Sequence, residues 1–401
     1  MNDSFLIKTV EEYPFIVKTG NGICLLDKDF NQYFDLWNDE GVNSLGYCYY
    51  IPHSHIPFHI PKMYGGNKRE VLAEMLVDTV DSYKNWKVMF HNSGTEANEA
   101  AIKIARKYNY DNGNSKVDNI LSFTGQFHGR TYGSLSAGDE KLSPHHYAGF
   151  GLMLEGFRNI DPNVESIKEY ITKYYDGRLA AIIIAPICGN NDIIVYDRDF
   201  YIELMELKKA TGALLIFDEI QVGCGRTVKN FWSFQTINKV LNVNLQPDII
   251  TFGKGIAAGL PLSGIIVKNE IAESFTLGSH FNTTGGSELA CLLGMCVVNY
   301  INYNNDYMGL LEKHMLKLKY IPYVSKITGI GIHIAIHIKY DELGCDSFEV
   351  CKMAFKNKLL IVSHKQFGPI RFFPTLNCNN HDLNQSIELF RKTIEELAVH
   401  K

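Results

Sequence analysis

The chain contains no C-x-x-C pair, although it holds nine cysteines, at positions 24, 48, 188, 224, 291, 296, 345, 351 and 378. An odd, scattered set of thiols argues against a disulfide framework and fits a reducing cytosol. Long apolar runs are missing as well. The longest, such as Leu179–Pro186 and Ala213–Phe217, have strand length, far below the roughly 18 residues needed to cross a bilayer. The N-terminus lacks a basic start followed by an apolar run, so no secretory signal is read there. Net charge is only −5, from 39 basic and 44 acidic residues, which leaves no basic footprint for nucleic acid and no polybasic membrane patch. Also absent are G-x-G-x-x-G, G-x-x-x-x-G-K-[ST] and H-E-x-x-H, each of which would have carried a specific chemistry. His53-x-His55-x-x-x-His59 sits among prolines with no acidic or cysteine partner nearby, so no metal is assigned.

What is present is globular. Of 401 residues, 46% are hydrophobic and 21% charged, with neither an internal repeat nor a Pro- or Ser-rich linker. That length corresponds to two or three domains. Residues 20–36 read as two short strands around an Asp/Asn turn, and 41–66 as irregular chain broken by Pro52, Pro57 and Pro61. An amphipathic helix is expected over 67–84. From there strands and helices alternate: strands at 87–91, 119–123, 180–185, 214–217, 248–252 and 263–267, with helices at 95–108 and 200–210. Continuous apolar strands separated by helices predict an α/β fold with a mostly parallel sheet covered on both faces. A helix from Glu288 to about Tyr300, strands at 330–338 and 370–373, and a closing helix at 383–399 complete the chain. The expected division is 67–294 as the large α/β domain, with 1–66 and 295–401 forming a smaller α+β domain built from both termini.

Chemistry-bearing residues fall at strand ends. His91-Asn92-Ser93-Gly94-Thr95-Glu96 follows a strand and opens a helix; Ser93 and Glu96 form a capping box. Gly94 and the helix N-terminus favour an anion. The apolar strand Leu214–Phe217 runs into Asp218, a carboxylate at the edge where open α/β sheets bind ligands. Alone, it reads equally as a helix cap. Lys254 follows another strand between two glycines; a lysine amine is the side chain that condenses with an aldehyde, and the glycines leave room for a bulky ring. Gly125-Gln126-Phe127-His128-Gly129-Arg130-Thr131 offers an aromatic face, an imidazole and a guanidinium. Asn282-Thr283-Thr284-Gly285-Gly286 is a second possible phosphate cradle.

The order and spacing of these segments resemble the class III aminotransferases, fold-type-I enzymes dependent on pyridoxal 5′-phosphate. The matching stretches are NSGTEANEAAIKIAR (92–106), FHGRTYG (127–133), IFDEIQVGCGRT (216–227), PDIITFGKGIAAGLPLSG (247–264), TTGGSELA (283–290) and IRFFPTL (370–376). The resemblance implies that Lys254 holds the cofactor covalently and then moves the proton, and that Asp218 keeps the ring nitrogen protonated. Phe127 would stack on the ring, with His128 beside it and Gln221 near its phenolic oxygen. Ser93, Gly94 and Thr95 would hold the phosphate, completed by Thr283 from a neighbouring subunit, so a cytoplasmic homodimer is implied. Arg130 and Arg371 would grip substrate carboxylates.

One stretch departs from the family. Where many members carry E-P-x-Q-G-E-G-G, this chain reads Ala185-Pro186-Ile187-Cys188-Gly189-Asn190-Asn191-Asp192. In ω-amino acid transaminases the second glutamate pairs with the carboxylate-binding arginine. Asn190 cannot, so Arg371 is expected to stay free and charged and to favour carboxylate-bearing substrates. The P-x-x-G-N form also resembles glutamate-1-semialdehyde aminomutase, which leaves an aminomutase or epimerase as the alternative to an aminotransferase, and a catalytically silent relative behind both.

Overall fold

The computed structural model describes residues 7, 9, 13–50, 58–64, 67–81, 83–141, 143–190 and 192–399. His53 and His55 lie outside them, as do Pro52 and Pro57. The two strands expected within 20–36 form as β2 (Cys24–Asp27) and β3 (Gln32–Asp35), and a further strand, β1 (Val17–Asn21), precedes them. Gly22, at φ +57°, turns the first hairpin. Asp27 turns the second by accepting the Asp29 and Asn31 N–H groups at 2.9 and 2.8 Å.

The central sheet has seven strands. They are β4 (Trp86–His91), β5 (Asn119–Phe123), β6 (Phe157–Ile160), β7 (Leu179–Ile184), β10 (Leu214–Asp218), β11 (Ile249–Phe252) and β12 (Ser263–Lys268), with a two-stranded ribbon, β8 (Ile187–Cys188) and β9 (Ile194–Val195), between β7 and β10. The order is β4-β12-β11-β10-β7-β5-β6, and β12 alone runs against its neighbours. Every residue of β7 is buried, as a run with no polar alternation requires when both faces are covered. β6 escapes a sequence reading because it is an edge strand, Phe-Arg-Asn-Ile, with no fully buried residue.

The Gly94–Asp111 helix lies on this sheet through Ala97, Ala100, Ala101 and Ala105, whose small side chains bring its backbone close. The strand expected at 330–338 forms as β14 (His333–Ile338), shortened at its start by the turn of a hairpin with β13 (Val324–Ile330), a strand not expected. The turn uses Gly331, at φ +67°, where a β-carbon would stand 2.4 Å from the Arg226 carbonyl oxygen. β15 (Leu359–Leu360) joins β3 in parallel, so strands from the two ends of the chain share one sheet, while β16 (Ile370–Phe372) joins β14 in a separate three-stranded sheet. Among the described residues no helix is long and apolar enough to cross a membrane.

Candidate active site

β10 and β11 run in parallel with Asp218 opposite Thr251, so Asp218 and Lys254 leave the same edge of the sheet. The Gly94 helix start is pressed against both. A β-carbon at Gly94 would meet the Ile220 side chain at 2.8 Å, and one at Gly253 would stand 3.5 Å from the Gly94 Cα. Glycine at both positions is what lets the helix N-terminus, the aspartate strand and the lysine strand converge.

Asp218 is buried, and its partners are explicit. Oδ2 accepts from Asn98 Nδ2 and His128 Nδ1, both at 2.8 Å, and Oδ1 accepts from the Ile220 N–H at 3.1 Å. A carboxylate offers about four acceptor positions, so one remains. His128 is thus a buried support for Asp218. The adjacent acid, Glu219, is fully buried and accepts from the Ser233 N–H and hydroxyl and the Phe234 N–H at 2.8–3.0 Å. It caps the Ser233–Leu241 helix, and burial pushes its carboxyl up to about 7.

At the helix start, Ser93 Oγ accepts from Glu96 N at 3.4 Å, and Glu96 accepts from Ser93 N at 2.7 Å. That uses Ser93 as a cap and leaves the Gly94 and Thr95 N–H groups, which have no intrahelical partner, for an anion. The Thr95 hydroxyl is engaged elsewhere, 2.9 Å from Thr131 Oγ1 and 2.6 Å from Ser134 Oγ. Gly129 permits that contact, since a β-carbon there would stand 2.2 Å from Thr95 Oγ1. Phe127 leaves 42% of its surface open. Pyridoxal 5′-phosphate fits these groups: two free N–H groups for its phosphate, an open acceptor position for a pyridinium, an amine for its aldehyde and an uncovered aromatic face for its ring.

The second half of the site was not legible beforehand. The Lys254 amine and Gln221 Nε2 both donate to Glu40 Oε2, the latter at 3.0 Å, while Arg371 Nη2 donates to Glu40 Oε1 at 3.2 Å. Arg371 is therefore not free. The expectation from Asn190 is corrected: Asn190 turns to the Gly125 carbonyl at 3.4 Å, and the counter-charge comes from the turn after β3. Burial opposes the charge on Glu40, but Lys254 and then Arg371 outweigh it and hold the carboxyl below the usual range. Arg371 also donates from Nη1 to the Gly189 carbonyl at 2.9 Å, and its guanidinium lies 5.0 Å from the Trp37 ring and 5.6 Å from Phe373. His364 Nε2 stands 3.8 Å from Glu40, and burial together with Arg371 pushes its imidazole down to about 4.

Glu40 is delivered by strained backbone. Asn38, Asp39 and Glu40 lie at φ +51°, +45° and +58°, three successive left-handed residues, each costing on the order of 1 kcal/mol. Asp35 Oδ1 accepts the Trp37 and Asn38 N–H groups at 2.8 Å. Arg226, buried, donates to the carbonyls of Gly41 and Pro374 at 2.5 Å each, fastening the Glu40 turn to the chain leaving β16. No carboxylate pairs with Arg226 among the described residues, and burial lowers its guanidinium to about 10.

Two expected residues lie apart from this cluster. Arg130 is exposed, 3.2 Å from His146 and 6.0 Å from the Phe127 ring. Thr283 is exposed on a loop tied back by Asn282 to Phe90 and by Thr284 to Asn92. Glu40, Trp37, Asn98, Arg226 and His364 were missed. The one available signal was indirect: a buried arginine whose customary carboxylate is gone must find another.

A family model described as Aminotransferase class-III matches residues 7–394. The acetylornithine aminotransferase of Aquifex aeolicus is 32% identical over 399 residues, covering 98% of this chain and 100% of that protein. That of Listeria innocua is 33% identical, covering 98% of each. Among solved structures, the ornithine aminotransferase of Toxoplasma gondii superposes with a TM-score of 0.84 at 22% identity, covering 98% of this chain and 94% of that one. A second structure of that enzyme, with a TM-score of 0.85 at 21% identity and covering 99% and 93%, has partial occupancy of PLP at its active site.

Proposed function

The chain belongs to the class-III aminotransferases, and on that footing we propose that Lys254 is its reacting amine, Asp218 its ring-proton holder and Arg371 its substrate anchor. One observation carries the reading: Lys254 and Arg371 both bond the carboxylate of Glu40. A substrate carboxylate at Arg371 would leave its amine within reach of Lys254.

When bound, pyridoxal 5′-phosphate supplies an aldehyde that takes up the amino group and a ring that stores the electron pair freed at the substrate carbon. The Gly94 and Thr95 N–H groups would hold its phosphate, next to the Ser93 cap. Phe127 would cover one ring face and exclude water. Asp218, oriented by His128 and Asn98, would hold a proton on the ring nitrogen. Lys254 Nζ would carry the cofactor between turnovers and, once released, take the proton from the amine-bearing carbon and return it. Gln221 Nε2, which shares Glu40 Oε2 with the lysine, would turn to the phenolic oxygen of the ring. The Arg371 fork grips the carboxylate, and exposed Arg130 would meet a second charged group of a larger substrate. Thr283, exposed on its own chain, would complete the phosphate site of a second copy, which makes a homodimer the active unit. All nine cysteines are free thiols, in keeping with a cytoplasmic enzyme. We read residues 67–294 as the large domain and 1–66 with 295–401 as the small one, a division supported by the pairing of β15 with β3.

The donor is read as an amino acid with a free carboxylate. N-acetylornithine is the first to try, given the names of the relatives. Borohydride reduction of the loaded protein should fix the cofactor on the Lys254 peptide, and Lys254→Ala should abolish both the adduct and turnover. An adduct on another lysine, or none, would overturn the assignment.

A further inference from the structure

Glu40 faces Lys254, Arg371 and Gln221, each of which donates to it, and the His364 ring 3.8 Å away. A protein carboxylate between the reacting amine and the substrate anchor is not itself a reactant in amino-group transfer, and the stretch 185–192 no longer supplies one here. Yet three successive left-handed residues are held in place by Asp35 and Arg226 to put one there. Strain maintained at a site by surrounding bonds points to a use for what it presents.

The grip is also incomplete. Glu40 holds Arg371 through a single bond at 3.2 Å, while Arg371 Nε is buried with no acceptor among the described residues. A carboxylate approaching the fork squarely makes two parallel bonds, so it can outcompete one that makes a single bond. The two partners differ in freedom. The Arg371 side chain is 3% exposed and fixed between Trp37 and Phe373, whereas the Glu40 side chain is 28% exposed. Displaced, Glu40 can turn toward water and keep its charge hydrated, but Arg371 has nowhere to go. Two carboxylates cannot share the guanidinium without like-charge repulsion.

We propose that Glu40 is a displaceable internal carboxylate that stands where the substrate's carboxylate binds, and is thereby the residue that sets the preference between carboxylate-bearing and carboxylate-free substrates. It rests on the reading of Lys254 as the reacting amine and Arg371 as the anchor. With a carboxylate-free amine bound, Glu40 stays and neutralises Arg371. With an amino acid or keto acid bound, it leaves. Every carboxylate ligand must therefore compete with Glu40, and removing that competitor strengthens its binding.

Glutarate is a suitable probe, because it has neither an amine nor a keto or aldehyde group and cannot react. Calorimetry on the cofactor-loaded protein should show glutarate binding at least tenfold more tightly to Glu40→Gln than to wild type. The ratio of kcat/KM for an amino acid to that for a carboxylate-free amine should rise by a similar factor. Unchanged or weaker glutarate binding in the variant overturns the proposal. A crystal structure of the wild-type protein with glutarate supplies a test that needs no variant. Glu40 turned away from Arg371, with a glutarate carboxylate in its place, supports the proposal; Glu40 still on Arg371, with glutarate elsewhere, overturns it. Borohydride mapping on the same samples separates the two readings. Tightened glutarate binding with the adduct on another lysine refutes the role of Lys254 and upholds the competition at Arg371.

Discussion

Arg371→Lys keeps the charge of the anchor and removes its shape. The guanidinium makes two bonds in different directions, to the Gly189 carbonyl at 2.9 Å and to Glu40 at 3.2 Å, and lies against two aromatic rings. An ammonium on a flexible stem can replace one of those bonds but not the fork. Losing one charge-assisted hydrogen bond costs about 1.5–3 kcal/mol. Weaker cation–π contact with Trp37 and Phe373 adds about 0.5–2 kcal/mol. At about 1.4 kcal/mol per decade, the sum predicts a loss in kcat/KM for carboxylate substrates of roughly 30-fold to several thousand-fold. A carboxylate-free amine makes no bond to Arg371, so its kcat/KM should fall much less. The assay is the pair of steady-state kcat/KM values, one for an amino acid and one for a simple amine, in both proteins. Equal losses for the two substrates would mean that Arg371 only supports the fold. A loss below about tenfold for the amino acid would mean that the carboxylate is anchored elsewhere.

Asp218→Asn should retain cofactor but lower turnover by at least 100-fold; its oxygen can keep two donors while its amide N–H₂ faces the Ile220 N–H, and an amide cannot hold a pyridinium charge. Near-wild-type turnover would reduce Asp218 to a cap. Stability against pH should expose two buried groups of opposite sense. Glu219, raised by burial from 4.5 to about 7, contributes stability below pH 4.5 that is lost as pH rises to 7. His91, lowered mainly by burial from 6.5 to about 4, contributes stability above pH 6.5 that is lost as pH falls to 4. Each is worth up to about 3 kcal/mol by linkage, and between pH 4.5 and 6.5 their slopes oppose. Glu219→Gln should therefore make the melting temperature fall more steeply on acidification than it does in wild type; parallel curves would refute the assignment. Mixed dimers of Lys254→Ala and Thr283→Ala subunits should recover part of the activity lost by each homodimer, because one of their two sites keeps both residues; no recovery would remove Thr283 from the partner's site.

The sequence announced the half of the site that rides on strand ends. Lys254 and Asp218 each follow an uninterrupted apolar strand, and such runs can be read because burial on both faces leaves them no polar alternation. Glu40 could not be read this way. It stands in a short turn whose conformation no local propensity favours; the turn exists because Asp35 caps it and Arg226 reaches it from far along the chain. Arg371 was legible as a residue, but its partner was not, since the Glu40 contact spans 331 positions. The strand expected at 330–338 ran through the turn before β14 for a related reason, because the space that demands Gly331 is set by Arg226 and not by neighbours in sequence.

The stitching around Arg226 bears on how the protein is made. Backbone bonds join Phe373 N to the Leu36 carbonyl at 2.7 Å and Leu376 N to the Ser44 carbonyl at 2.8 Å, beside the Arg226 bridge between Gly41 and Pro374. The strands carrying Asp218 and Lys254 are synthesised well before the residues that complete those bonds. A chain still on the ribosome can thus assemble most of its central sheet while the turn bearing Glu40 has no Pro374 to be fastened to and Arg371 is still unmade. Only after Arg371 and Pro374 are made can the proposed anchor meet the lysine. Until then the nascent chain holds Lys254 without the arginine that we propose selects its substrate, and closing a contact across so long a stretch of chain is a slow step in folding.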